Sequence, residues 1–482
     1  MAEALWTFDA LVAAAAGHAD GVPTADIAGF SIDTRTLAPG DVFVALKDQR
    51  DGHDFVPAAF AAGAAAALVS ETYARRPGDG ALIRVADPLE GLRGIARAAR
   101  ARLAPSAKVI AVTGSAGKTT TKEMLRAAFA TCGKVHAADK SFNNHWGVPL
   151  TLARMPADTQ FAIFEIGMNH AGEITPLTGL VRPHVAIVTN VLPVHVGNFP
   201  DGEIGVANAK AEIFAGLEPG GVAIVLRDSP HFERLKASAE AAGARVRTFG
   251  RSRSDDVAIV SGVPATSPNA GFQEVTAKID GGEEISYRLF IAGEHIAINS
   301  LAVVAALDCL CCAMGRGLKS LISVEAGAGR GSRLRLPAPD GPLVVIDESY
   351  NGNPESIRAA LDTLAWIKDP TVKRRIAVLG DMLELGERSV EYHVGLLPAL
   401  TKASPIKTGI DLVFACGPHM KHLFERLPPA QRGAWAPSSA GLIAPVLAAL
   451  QGGDAVMVKG SLGSRMAPIV DAIKKHFAPA EA

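Results

Sequence analysis

Neither sign of charge is in surplus: 48 Lys and Arg stand against 49 Asp and Glu, so no broad basic field exists to attract nucleic acid. Thiols are few. The five cysteines, Cys132, Cys309, Cys311, Cys312 and Cys416, are odd in number and irregularly spaced, which gives no disulfide framework. Cys309-Leu310-Cys311-Cys312 lies in an apolar, helical run with no histidine close in sequence, so buried packing is expected there rather than zinc or redox chemistry. No apolar stretch reaches spanning length without charge or turn residues, which argues against membrane insertion. Residues 1–20 mix alanine with acidic residues and His18 and lack the basic start and apolar core of a signal peptide, so the expected compartment is the cytoplasm.

What the chain does have is length for about three domains and a hydrophobic content of 48%, which excludes a mainly disordered protein. Three blocks follow from the pattern. Residues 1–105 contain a strand at Val42–Leu46 and a helix-then-strand signal over 55–69, with two polar turn clusters, Ser31–Arg35 and Asp51–Phe55. Residues 106–325 alternate short apolar runs with helical segments; Phe161–Phe164 and Val185–Val188 read as strands, 255–292 as antiparallel strands, and 296–314 as a helix. Residues 326–482 begin at the Gly- and Arg-rich joint 327–333. Strand signals at 343–346, 376–379, 412–416 and 455–458 there alternate with helical patterns at 355–367, 390–400, 419–427 and 438–450. The expected fold class is α/β, with no dinucleotide Gly-x-Gly-x-x-Gly opening the third block.

The densest chemical signal is Thr113-Gly114-Ser115-Ala116-Gly117-Lys118-Thr119-Thr120, set between the β-branched run Val109–Val112 and a helical pattern. A strand, a Gly-rich turn and a helix N-terminus direct backbone N–H groups and a partial positive charge at a polyphosphate. Lys118 then reaches the terminal phosphates and the Thr119 hydroxyl faces a magnesium ion. The full phosphate-loop pattern asks for a glycine where Val112 stands. Glu165 follows a strand, and residues just beyond the carboxyl ends of parallel strands line the binding crevice, so it is placed to meet the ion beside Thr119. His195 follows the next strand, in a loop that it could equally cap. Lys210 reads first as an exposed helical lysine, although conversion to a carbamate would reverse its charge and give oxygen acceptors beside magnesium. Arg35 offers a rigid fork suited to phosphate, or else merely solvates its turn.

These residues, in this order, resemble the ATP-dependent amide-bond ligases of bacterial cell-wall synthesis, the Mur ligases. The likeness extends through Lys140-Ser141-Phe142-Asn143-Asn144, Asp347-Glu348-Ser349-Tyr350-Asn351-Gly352-Asn353-Pro354, Gly380-Asp381-Met382-Leu383-Glu384-Leu385-Gly386 and Val458–Met466. It implies a three-domain architecture: a UDP-substrate domain over 1–105, a central ATP-binding domain over 106–325 and a Rossmann-like ligase domain over 326–482. It also implies ATP and magnesium. Lys118, Glu165, His195 and a carbamylated Lys210 become the catalytic set, with Thr119, Glu165, His195 and Lys210 around the metal.

Under the same resemblance Gly114, Ser115, Ala116, Gly117, Lys118, Thr119 and Thr120 hold the phosphates, Asn299 contacts adenine, Arg330 approaches the phosphates and Asp347 meets the ribose or the hinge. Ser31, Thr34 and Arg35 take the uridine diphosphate, Asn143 and Asn144 face the nucleotide-sugar peptide, and Asp381, Glu384 and Arg465 border the acceptor. The implied reaction condenses D-alanyl-D-alanine with UDP-N-acetylmuramoyl-tripeptide through an acyl phosphate, in a monomer without nucleic acid. The preceding ligase, which adds the third amino acid to the UDP-linked dipeptide, is the alternative within the family; the Asp-Asn-Pro-Arg pattern of one common type of it is absent. Folate polyglutamylation is a more distant ligase reading. A kinase or nucleotide switch, and a nonenzymatic peptide scaffold, are the rivals from other classes.

Overall fold

The computed structural model describes residues 4–23, 25–264, 272–291, 293–367, 369–401 and 409–478, and their strands fall into three sheets of five, nine and six. Apolar runs with little alternation form the strands because both faces of each parallel sheet are covered by helices. Within the first sheet, Gly29–Ser31, Asp41–Val44, Ala66–Ser70 and Ala81–Val85 run parallel, with His18–Asp20 antiparallel at the edge.

The middle sheet carries Lys108–Thr113 between Phe161–Glu165 and Val185–Val188, all parallel. Placing the phosphate-loop strand at this central position brings the ends of both neighbours alongside the loop that follows it. Val222–Leu226 and Arg245–Gly250 extend the sheet in parallel. The 255–292 region supplies Val257–Pro264, Gln273–Ile279 and Glu284–Leu289, antiparallel to one another as expected. In the third sheet Leu343–Glu348, Asp454–Lys459, Arg374–Gly380, Leu412–Cys416 and Arg432–Ala436 lie side by side in parallel, and Ser332–Leu336 pairs antiparallel at the rim.

Some expected elements differ. The helix begun at Glu294 ends at Cys309 rather than 314, because Cys311 takes a left-handed conformation at φ 52°. The N–H groups of Cys311 and Cys312 turn back to the carbonyls of Asp308 and Leu307, a Schellman arrangement that closes the helix. Cys311 is therefore exposed and Cys309 and Cys312 are half-buried, so full burial of this group is corrected; Cys416 alone is buried. The 390–400 helix is two pieces, Ser389–Val394 and Leu397–Thr401, because Pro398 has no N–H and fits only a first turn.

The helix Lys118–Ala130 is anchored by Met124, Leu125, Ala128 and Phe129, all buried in the middle core with the helix Glu294–Cys309. Phe129 stacks on Phe161 at a centroid distance of 5.0 Å, joining the phosphate-loop helix to the sheet. The first region is locked to the middle one by Trp6, whose indole donates to Ala153 O at 3.0 Å, and by Arg102, which lies 3.8 Å over the Trp6 ring and donates to Met155 O. Arg100 adds bonds to Val181 O and Glu218. Phe129→Ala is expected to lower unfolding stability by about 3–5 kcal/mol, from lost burial and a residual cavity. Denaturant melts check this; a change below about 1 kcal/mol would show that the helix is not held by this ring.

Candidate active site

The phosphate loop is shaped by the end of the neighbouring strand. Ser115 N–H donates to Asn190 O at 3.0 Å and Ala116 N–H to Asn190 Oδ1 at 2.9 Å, while the Thr189 hydroxyl donates to Ala116 O at 2.7 Å. Ser115 Oγ also bonds to Leu192 on both its N–H and carbonyl. The Ser115 and Ala116 N–H groups are thus committed inside the protein. The helix N-terminus from Gly117 leaves donors for an anion, since Thr121 N–H bonds to Gly117 O at 2.9 Å. Thr189 and Asn190 were visible in sequence only as strand-end residues; their part in holding the loop is a tertiary fact.

Gly117 begins the helix at φ 81°, a left-handed conformation, and an added Cβ would run into the Asn299 amide. Asn299 is therefore packed beneath the loop, buried on the helix Glu294–Cys309. Lys118 folds its ammonium back onto Gly114 O at 2.7 Å. Burial holds that ammonium below its ordinary pKa, with Glu165 opposing the shift and Arg330 adding to it.

Glu165 is the carboxylate that meets Thr119. Thr119 Oγ1 donates to Glu165 Oε2 at 2.7 Å, and Asn143 Nδ2 donates to Oε1 at 2.7 Å. Ser141 links Thr119, at 2.9 Å, to Arg330, whose guanidinium donates to Ser141 Oγ at 3.0 Å and lies 3.9 Å over the Tyr350 ring. Ser141 stood in a recognised motif without a role, and the structure gives it one as a bridge. Asn143 points at Glu165. Asn144 is exposed, and its Oδ1 caps the helix Gly147–Ala153 by accepting from Trp146 and Gly147 N–H.

Asp347 shapes the joint to the third region: its Oδ2 accepts from Gly329 N–H at 3.1 Å, its carbonyl accepts from Gly331 N–H, and its Oδ1 accepts from Ser349. Arg330 sits in the resulting turn, whereas Arg333 already belongs to the strand Ser332–Leu336. Close by, buried Lys459 donates to Glu348 Oε2 at 2.9 Å and Asn351 O at 3.0 Å, an ion pair that sequence reading missed although both residues lie inside quoted motifs.

Lys210 is buried, which overturns the reading of it as an exposed helical lysine. Its ammonium makes no hydrogen bond or ion pair among the described residues, and burial together with Lys118 pushes its pKa well down. His195 adopts φ 60° and its Nδ1 bonds to Glu384 of the third region, itself at φ 62°. Burial lowers the His195 pKa, Glu384 counteracts, and Lys210 and Lys118 add to the lowering, so these groups share one field. Gly197 N–H donates to Glu384 O at 3.4 Å, a second tie across the same junction.

The remaining expected positions are not gathered here. Ser31 is buried and closes its own turn with Asp33; Thr34 is half-buried; Arg35 is exposed and paired with Asp33 at 2.6 Å. Asp381 is buried, its carboxylate accepting from the N–H groups of His419 and Met420 at the start of the helix Pro418–Phe424. Arg465 is exposed at φ 52° on the adjoining loop, beside Leu462 and close to Leu383, both exposed apolar side chains.

Comparison with known proteins agrees with this arrangement. Residues 112–307 match the Mur ligase middle domain, and residues 332–462 match the Mur ligase glutamate ligase domain. The chain is 35% identical over 398 residues to the UDP-N-acetylmuramoyl-tripeptide–D-alanyl-D-alanine ligase of Bacillus subtilis, covering 81% of this chain and 80% of that one. The crystal structure of MurF from Acinetobacter baumannii superposes with a TM-score of 0.81 at 29% identity, over 98% of this chain and 99% of that one. MurF from Thermotoga maritima in complex with ADP shares the fold, with a TM-score of 0.75 at 22% identity over 94% and 98% of the two chains.

Gly117→Ala is expected to leave the fold intact and to weaken binding of a non-hydrolysable ATP analogue by about tenfold or more. A left-handed alanine costs about 1–2 kcal/mol, and its methyl would displace Asn299 from under the loop. Isothermal titration with the folded variant checks this, and unchanged affinity would reject the loop as the phosphate site.

Proposed function

The chain belongs to the Mur ligase family, and we propose that it joins D-alanyl-D-alanine to UDP-N-acetylmuramoyl-tripeptide with conversion of ATP to ADP and phosphate. One observation carries the reading: the phosphate loop, Glu165 and the third region's Glu384, through His195, converge on one junction. A nucleotide bound on the middle sheet there faces a region able to bring an acceptor. The three domains are 1–105 for the UDP-linked substrate, 106–325 for ATP and 326–482 for the acceptor.

Two anions must meet before any bond forms. The terminal carboxylate oxygen of the tripeptide attacks the γ-phosphorus of ATP, the bond to the β–γ bridging oxygen breaks, and ADP leaves. The acceptor amine then attacks the acyl-phosphate carbon, the bond from that carbon to the phosphate oxygen breaks, and phosphate departs while the nitrogen loses a proton. Positioning and electrostatics do most of the work in such a sequence. Lys118 and the N–H groups from Gly117 to Thr120 hold the phosphates, Arg330 approaches them from the joint, and Asn299 and Asp347 support the nucleotide site. Ser115 and Ala116 shape the loop through Asn190. Ser31, Thr34 and Arg35 serve the uridine diphosphate, and Asn143 and Asn144 the peptide. Leu383 and Leu462 offer apolar contact to the methyl groups of the acceptor, Arg465 its carboxylate partner, and Asp381 the helix cap that fixes their loop.

The donor set fits a magnesium ion. Thr119 and Glu165 are hard oxygen donors already in contact, and with His195 Nδ1 on Glu384 the other ring nitrogen is left as a donor for the ion. Bound magnesium would neutralise charge on the transferred phosphoryl group. An ammonium at Lys210 would oppose such an ion, whereas a carbamate would supply oxygens. Burial, with Lys118 adding to it, lowers the Lys210 pKa and so favours the neutral amine, the form whose nitrogen bonds to the carbon of CO2 with release of one proton. No described helix is long and apolar enough to cross a membrane, and a cytoplasmic monomer is the working arrangement.

Lys210→Ala should lose most turnover, at least about a hundredfold, and regain part of it with a small carboxylate; full activity without supplement would reject the role. Intact-site mass mapping in bicarbonate should show the added CO2 on Lys210 of the wild type, and an unmodified lysine in active protein would reject the carbamate. Mass spectrometry of parallel reactions should show D-alanyl-D-alanine coupled to the UDP-tripeptide far better than any single amino acid. Exclusive addition of a diamino acid to the UDP-dipeptide would transfer the assignment to the preceding ligase.

A further inference from the structure

His393 lies fully buried beneath the loop that carries Glu384 to His195, yet nothing in the reaction above uses it. Its two ring nitrogens have opposite duties. Nδ1 lies 2.6 Å from Ser389 O, and a carbonyl can only accept, so Nδ1 carries the proton. Nε2 lies 2.9 Å from Met382 N, and a backbone N–H can only donate, so Nε2 must be bare. The hydrogen-bond partners therefore dictate a neutral imidazole and one of its two tautomers.

Met382 is the middle of a short, heavily constrained run. On one side Asp381 caps the helix Pro418–Phe424, and its carbonyl accepts from Ser461 N–H and Ser464 Oγ. On the other side Leu383 N–H donates to Ser461 Oγ at 2.9 Å, and Glu384 turns left-handed to reach His195. The Asp381 carbonyl and the Leu383 N–H are held by Ser461 and Ser464, and the Met382 N–H between them is held by His393.

We propose that His393 is a positioning residue for ligation: as a neutral Nδ1–H imidazole it fixes the Asp381–Gly386 loop that docks the third region on His195. Protonation of Nε2 would set a donor against the Met382 N–H and release that anchor. The charged and titratable groups around the ring are Asp381, with Oδ1 at 3.8 Å, His419, with its ring centroid at 5.4 Å, and His422. Burial lowers the pKa of His393 first, the Ser389 bond and Asp381 oppose that, and His419 and His422 add to it. A histidine whose folded-state pKa is depressed binds fewer protons folded than unfolded below neutrality. The anchor is therefore complete above the unfolded value and weakens as pH falls toward the folded one.

The effect on turnover rests on the ligase reading, whereas the tautomer rests on the hydrogen bonds alone, so two measurements separate them. Imidazole nitrogen NMR of the full-length protein, with the signal of His393 identified by its loss in His393→Gln, should show a neutral Nδ1–H ring at neutral pH; a cationic ring or an Nε2–H tautomer overturns the proposal. For turnover, amide formation by the wild type is established first, so absence of product there belongs to the ligase reading and not to His393. His393→Gln presents an oxygen to Met382 N–H that does not titrate; it should keep the neutral-pH rate within about threefold and show a flatter acid limb than the wild type. His393→Leu should lose at least about tenfold in kcat with little change in KM for the UDP-linked substrate. An acid limb unchanged in His393→Gln, or a folded His393→Leu with wild-type kcat, overturns the proposal, and the glutamine variant decides the matter if the leucine variant does not fold.

Discussion

Basic side chains gathered beside the phosphate loop govern this molecule. Glu165 and Arg330 act on Lys118, Lys118 acts on Lys210, and both lysines act with Glu384 on His195, while burial lowers the pKa of each lysine. Such a cluster is costly unless something anionic joins it. On the proposed reading a triphosphate would supply the counter-charge to Lys118 and Arg330, and a carbamate would supply it at Lys210 from within the chain.

The surrounding fold holds those cations still. The phosphate-loop strand sits between strands ending at Glu165 and beside Thr189–Asn190, so the sheet's own order brings carboxylate, loop and loop clamp together. The third region meets the middle one at the Asp347-shaped turn, where Arg330 bonds to Ser141, and at the Glu384–His195 bond. Both depend on residues with left-handed backbone, Gly329 and Gly331 in one, His195 and Glu384 in the other. Non-glycine residues in that conformation store strain that persists only where surroundings enforce it. Hinged ligation needs such enforcement, since the acceptor must arrive in register with a bond that exists only briefly.

Much of this was legible beforehand. Val109–Val112 followed by Gly114–Thr120 announced the strand, loop and helix, and Phe161–Glu165 placed an acid at a strand end, because hydrophobic runs and glycine turns are local signals. The regular alternation of 343–458 likewise revealed the third α/β sheet, though its rim strands Ser332–Leu336 and Arg432–Ala436, short and half-exposed, carried too little apolar pattern to be seen. Lys210 shows where local reading fails: its helix is ordinary in sequence, and only tertiary packing buries it. Asp381 is a different case, since a carboxylate in a family motif reads as bordering the acceptor and local sequence does not show the helix that it also caps. Cys311 was placed in a helix because nothing in its neighbours announces a non-glycine Schellman turn.

The central claim is that the peptide carboxylate itself attacks ATP, with this charged site bringing two anions together. It is tested most directly by following one oxygen. UDP-N-acetylmuramoyl-tripeptide labelled with heavy oxygen in its terminal carboxylate is turned over with ATP and D-alanyl-D-alanine, and the released phosphate is weighed by mass spectrometry. An acyl phosphate requires one labelled oxygen to leave with each phosphate as the amide forms. Unlabelled phosphate accompanying amide product would contradict the account.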